Sequence, residues 1–258
     1  MVSQRGKRQL LLVTVLVAGS IAFSVNAQDK KQLTDSMIKT IVEYRLIREN
    51  LQQGNNIKVQ VDDHVVRLNG TVRSAAELRR AEKAARGVDD VDKVENQLRV
   101  ATAARADQRV ADEVSKAIRS FAFFDIFDWV EGDVKNGVVT LRGAVREPWR
   151  KEDYGRLAED IEGVQSVRNE IRALPLSNYD DQIRISAARQ LYGDPRFVRY
   201  ANRSLPPIHI IVENGKIWLK GNVANRLERQ LAETIVRSNV MSFEVINDLA
   251  VDSEAATR

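Results

Sequence analysis

The feature that most constrains the fold is a phrase that occurs three times. Residues Val61 to Val72 read VDDHVVRLNGTV, and the phrase returns as VKNGVVTLRGAV from Val134 to Val145 and as VENGKIWLKGNV from Val212 to Val223. The copies lie 73 and 78 residues apart, longer than the roughly 20–50 residues of a solenoid unit. Each copy is therefore a small domain, and the chain is three related modules in a row. Apolar residues alternating around a two-residue turn describe a half-buried hairpin. Asn136-Gly137 and Asn214-Gly215 suit a type I′ turn, in which both central residues take positive φ. Asp63-His64 in the first copy tolerates left-handed φ less well than glycine, so a looser or different turn is expected there. The glycines at 70, 143 and 221 fall inside a strand, where a bulge or a close helix approach is expected. Gly137 and Gly215 serve the turns.

Helical spacing follows each hairpin, and a short run with period two follows the helix: Val91 to Leu98, Val164 to Ile171, and Phe243 to Val251. These predict a third strand. Ahead of each hairpin lies another amphipathic stretch, with Ile38, Ile41 and Val42 in the first copy and Val110, Val114, Ala117 and Ile118 in the second. The expected fold class is α+β: three tandem αββαβ modules, each a three-stranded mixed sheet packed by two helices. Expected boundaries are 33–100, 106–173 and 180–251, with hinges at 101–106 and 174–178 and a frayed tail after Asp252.

Residues 1–27 stand apart. Arg5, Lys7 and Arg8 precede an apolar stretch from Leu10 to Ala22, and Val25-Asn26-Ala27 suits cleavage after Ala27, so a secretory signal and a periplasmic destination are expected. A membrane anchor needs about 20 apolar residues, and Gly19, Ser20 and Ser24 leave the run short. No cysteine is present, which excludes a lipoprotein anchor. Without this segment the 40 basic and 36 acidic residues become 37 and 36. The basic pI is thus no argument for nucleic acid, which needs a clustered basic face. Arg79, Arg80, Lys83 and Arg86 fit the solvated side of a helix.

Catalytic chemistry finds little foothold. There is no thiol, no Gly-rich phosphate loop and no Gly-x-Ser-x-Gly elbow, and the two histidines, His64 and His209, belong to different modules. No metal site is expected, nor a cofactor or a catalytic residue. The acidic pairs Asp62-Asp63 and Asp89-Asp90 sit in predicted turns, where backbone hydrogen bonding explains them.

The pattern of strand, Asn-Gly turn, V-x-L-x-G-x-V, helix and G-V-x-x-V-x-N-x-[LI] resembles the BON domain (bacterial OsmY and nodulation). The likeness spans roughly residues 33–251 and is strongest in the second copy, at Val139 to Val145 and Gly163 to Ile171. In the third copy Met241 replaces the glycine before the last strand and Leu205-Pro206-Pro207 interrupts the approach to the hairpin. In the first, Gly87 falls three residues ahead of the aligned Asp90.

One stretch departs from the repeat. Residues 121–130 hold four of the chain's seven Phe, at 121, 123, 124 and 127, and one of its three Trp, at 129. The other copies have nothing comparable there. Five large rings exceed what one helix stripe or strand face buries, so one or two are expected to remain exposed. Exposed rings favour the headgroup zone of a bilayer. The nearby cations Lys116, Arg119, Arg146, Arg150 and Lys151 add attraction to anionic lipid of about 1 kcal/mol each, which Asp125 and Asp128 oppose. The resemblance implies phospholipid binding, placed in two-module relatives on the first helix of one module. The candidate lipid-binding residues are Lys116, Arg119, Phe121, Phe123, Phe124, Phe127, Trp129, Trp149 and Arg150, the partner an anionic phospholipid surface, and the expected role envelope integrity or osmotic tolerance. The alternative is an adaptor or chaperone-like binder of envelope proteins or exported polypeptides.

Overall fold

The computed structural model describes residues 33–101 and 107–252. The signal and its cleavage site, most of the first hinge and the tail after Asp252 lie outside them. Module one runs α1 (Asp35–Arg48), β1 (Asn56–Asp62), β2 (Val65–Val72), α2 (Ala75–Arg86) and β3 (Lys93–Val100). Module two runs α3 (Asp107–Arg119), β4 (Trp129–Lys135), β5 (Val138–Val145), α4 (Pro148–Glu159), and a third strand broken into β6 (Ser166–Asn169) and β7 (Arg172–Ala173). Module three runs α5 (Asn178–Gly193), a short α6 (Val198–Ala201), β8 (Ile208–Glu213), β9 (Lys216–Val223), α7 (Arg226–Asn239) and β10 (Glu244–Val251). In each sheet the hairpin pairs antiparallel and the third strand joins the middle one in parallel, after a helical crossover. The α+β modules expected from the repeat are thus present.

Side chains from the two helices and the inner sheet face make each core, as with Ile38, Val42 and Leu46 of α1 against Val66, Leu68 and Val72 of β2 in module one. The recurrent asparagine ties the third strand to the second helix. Asn247 donates from Nδ2 to the Arg229 carbonyl at 2.8 Å and accepts from Leu249 N–H at 3.3 Å. Asn169 does the same with Lys151 and Ile171.

All three hairpin turns have two successive residues at positive φ: Asp63 and His64 at 46° and 61°, Asn136 and Gly137 at 51° and 73°, Asn214 and Gly215 at 52° and 75°. The first turn is therefore not of another kind. An aspartate at the start of each first helix holds it. The Asp35 carboxylate accepts from Asp63 and His64 N–H, both at 3.0 Å. Asp107 accepts from Asn136 and Gly137 at 2.7 and 3.1 Å, and Asp180 from Asn214 and Gly215 at 2.9 and 2.8 Å. These bonds satisfy turn amides that the ladder leaves over.

The glycines at 70, 143 and 221 answer neither to a bulge nor to a helix. Pairing runs one-to-one through them. A Cβ on Gly143 would overlap the backbone carbonyl of Trp129 on the neighbouring strand, and its φ of +128° is one that only glycine adopts readily. Gly70 and Gly221 meet the carbonyls of Asn56 and Pro207 in the same way.

The modules touch in two different ways. Between modules one and two, Gly163 N–H donates to the Arg73 carbonyl and Ala75 N–H to the Val164 carbonyl, both at 2.9 Å. Arg79 pairs with Glu159, and Lys83 lines one depression together with Glu152 and Gly155. The start of α2 thus lies against the end of α4, and the two helices run antiparallel. Between modules two and three the sheets meet. Ala144, Leu174 and Ile211 form a buried cluster covered by Trp129 and Trp218, and Ile208 to Val212 are buried on both faces of β8.

Candidate functional site in the aromatic loop of module two

The rings at 121–127 sit on a loop between the end of α3 and the start of β4, and Trp129 opens the strand. Successive turns shape it: Phe121 N–H reaches the Ile118 carbonyl at 3.1 Å and Phe124 N–H the Phe121 carbonyl at 2.9 Å. Asp125 Oδ1 accepts from Phe127 N–H at 2.8 Å.

The loop divides its rings between two directions. Phe123 stands 55% exposed, its ring centroid 5.2 Å from that of Trp149 at a nearly perpendicular 88°. Trp149, at the start of α4, is 45% exposed. Phe121 lies beneath this pair, 5.5 Å from Phe123 and 5.2 Å from the buried Tyr154. The other rings turn toward module three. Phe124 and Trp129 flank His209, each 5.2 Å from the imidazole, and Phe127 packs against the core of module three.

Asp128 anchors the loop between these halves. It is fully buried. Its Oδ1 accepts from Arg146 N–H at 2.9 Å, and its Oδ2 from Arg150 Nη1 at 2.7 Å and Tyr154 OH at 3.2 Å. Arg150 Nη1 also reaches Asp125 Oδ2 at 2.9 Å. Desolvation pushes the Asp128 carboxyl above its usual range and outweighs the bonds from Arg146 and Arg150. Tyr154 is pushed up by burial and by the Asp128 charge. Arg150 itself is buried, so the expectation that it forms part of a cationic surface is corrected. Its guanidinium is held by two carboxylates and stacks on Trp149 at 5.5 Å, because a buried carboxylate demands a desolvated partner.

The backbone of the loop binds module three directly. His209 Nδ1 lies 2.7 Å from the Asp128 carbonyl, which can only accept, so that nitrogen carries the hydrogen. Burial pushes the imidazole pKa down and favours the neutral ring. Ile210 N–H donates to the Ile126 carbonyl at 2.7 Å.

Of the predicted residues, Phe121, Phe123 and Trp149 come together on the outer side of the loop. Phe124, Phe127 and Trp129 go to the joint with module three. Lys116 and Arg119 are exposed near the end of α3. Arg119 also edges a cleft of about 660 Å³ between modules two and three, with Phe124, Trp129, Pro206 and His209. Sequence reasoning missed Asp128, Tyr154 and His209 as a set. A signal existed: Arg150 stands where the other copies have Glu77 and Glu228. Those glutamates accept from Arg73 and Ala224 N–H, the bond that Asp128 makes here with Arg146. Among the described residues no group of three acidic or histidine side chains is placed to hold a metal ion, and no helix is long and apolar enough to cross a membrane.

Osmotically-inducible protein Y of Escherichia coli strain K12 is 28% identical over 149 residues, covering 54% of this chain and 73% of that protein. Two solved structures of CdsD, a structural protein of the Type III secretion system of Chlamydia trachomatis, align over 85% and 84% of the chain at 13% and 14% identity, with TM-scores of 0.23 and 0.24. The BON domain matches at residues 34–102, 106–175 and 196–253, the last beginning beyond α5. Three matches that together span most of its length show that this chain belongs to the BON-domain family.

Proposed function

We propose that this chain is a non-enzymatic protein of the periplasm that docks on anionic phospholipid surfaces through the outer side of the module-two loop and supports tolerance of osmotic stress. The observation that carries the reading is the Phe123–Trp149 pair: two large rings stacked edge to face and held out to solvent. An apolar ring with polar groups beside it is favourably placed among lipid headgroups. Lys116 and Arg119 supply exposed positive charge on α3, the helix that leads into the loop. Asp125 and Asp128, the acidic residues that oppose anionic lipid, are both bonded to Arg150, which offsets one of their two charges. The leader-like first 27 residues support export, and the similarity to an osmotically inducible protein supports the physiological role.

Co-sedimentation with anionic and neutral vesicles at low and high salt tests this. The expected result is binding to anionic vesicles that weakens with salt and is lost in Trp149→Ser. Equal recovery with and without vesicles would remove the lipid reading. A second reading, capture of an extended polypeptide, is favoured by the cleft lined by Phe124, Trp129 and Pro206. It predicts that Trp149→Ser is silent and that Pro206→Glu abolishes binding of an apolar peptide.

A further inference from the structure

The contact between modules one and two has a counterpart in module three that nothing within the described chain covers. In the first joint the β–α corner at Arg73–Ala75 bonds the loop Gly163–Val164, and α2 lies antiparallel to α4. Ala76, the second residue of α2, is 3% exposed. In module three the corner position of Ala76 is taken by Leu227, which is 63% exposed, and the loop position of Gly163 by Met241, which is 88% exposed. Phe243, two residues on, is 76% exposed. The equivalence of the loops is fixed by one hydrogen bond in each: Gln165 N–H to the Gly137 carbonyl and Phe243 N–H to the Gly215 carbonyl, both at 2.9 Å.

An exposed Leu and Met at the two ends of one helix occupy the positions that the joint of modules one and two covers, at Ala76 and Gly163. We infer that two copies of this chain associate through module three, α7 against α7 of the second copy and antiparallel to it, reproducing within a dimer the α2–α4 contact. Such a contact is isologous. Leu227 of each copy meets the Val240–Met241 loop of the other, as the start of α2 meets the Gly163 loop. Thr234, small, exposed and midway along α7, falls at the twofold axis. The alternative of docking module two's corner onto this loop is disfavoured, because Pro148 stands where Ala75 donates its N–H and has none to give. The second helices of modules one and two cover each other, so the α7 face left over takes its partner from a second copy.

Sedimentation equilibrium of the purified protein is the test. Self-association that grows with concentration is expected, weakened at least about tenfold in Leu227→Glu and in Met241→Glu. Because the chain has no cysteine, Thr234→Cys should give a disulfide-linked dimer under mild oxidation, while Lys58→Cys on the polar face of module one should not. A chain that stays monomeric at every concentration overturns the inference, including one whose Leu227→Glu variant loses vesicle binding instead. A dimer unaffected by either glutamate, or not cross-linked through residue 234, overturns it as well.

Discussion

The two joints of this molecule join similar modules by unlike means. Modules one and two meet through a helix pair, two backbone hydrogen bonds and the part-exposed pair Arg79–Glu159. Modules two and three share a buried cluster, an imidazole enclosed by two rings, and backbone bonds from His209 and Ile210 to a loop that the desolvated Asp128–Arg150–Tyr154 set of module two anchors. The difference lies in the outer sheet faces. Module one presents Lys58, Gln60, Arg67 and Asn69 there, whereas module three presents His209, Ile211, Trp218 and Lys220 at the same positions. The first face needs only water; the second must be covered, by Ala144, Leu174 and Trp129 and, at His209, by Phe124 of the module-two loop. The lesson is that one repeated fold can be a detachable neighbour at one end and part of a continuous core at the other. Modules two and three should unfold as a unit that module one does not join.

The largest break in that contrast comes from the buried carboxylate. Asp128→Ala leaves Arg150 desolvated with only the part-exposed Asp125, and should cost about 3–5 kcal/mol. In a denaturant titration the transition of modules two and three shifts while that of module one stays.

A smaller effect follows from pH. The folded pKa of His209 lies below its ordinary value of about 6.5. The unfolded chain therefore takes up a proton at higher pH than the folded one does. The stability this residue brings is present above that value and lost as pH falls below it, at about 1.4 kcal/mol for each unit of depression. Asp128, with its folded pKa raised, acts in the opposite sense, but only in the window above about 4. Thermal midpoints at pH 7.5 and 5.5 should show the fall in the transition of modules two and three, and His209→Gln should flatten it. The smallest effect is expected at the other joint: Arg79→Ala removes an ion pair whose arginine is largely exposed and should change stability by less than about 1 kcal/mol, with only the module-one transition affected.

The fold was legible because the repeat carries its own rules: Asn-Gly turns, alternation and the final asparagine. Less legible were features that act across sequence. Asp35, Asp107 and Asp180 recur at the same place in each copy, yet only three dimensions bring their carboxylates to the turn amides. At the aromatic loop, composition established that the rings exceed one core, and Phe123 is the surplus, standing beside the likewise exposed Trp149 of α4. Composition did not say that a neighbouring sheet would take Phe124, Phe127 and Trp129. The near-continuous apolar run Ile208 to Val212 carried that message, since a strand buried on both faces loses its alternation. Arg150 misled for a related reason: its charge suggested solvent, while its partner lay 22 residues away.

The claim that matters most is that one loop seals a joint with some rings and leaves others free to dock. Phe123→Ser and Phe124→Ser, compared side by side for unfolding midpoint and for binding to anionic vesicles, test it most directly. The account predicts that Phe123→Ser loses vesicle binding with an unchanged midpoint, while Phe124→Ser, which strips a ring from Tyr154 and His209, lowers the midpoint. A Phe123→Ser protein that binds vesicles as well as the unaltered chain would contradict it.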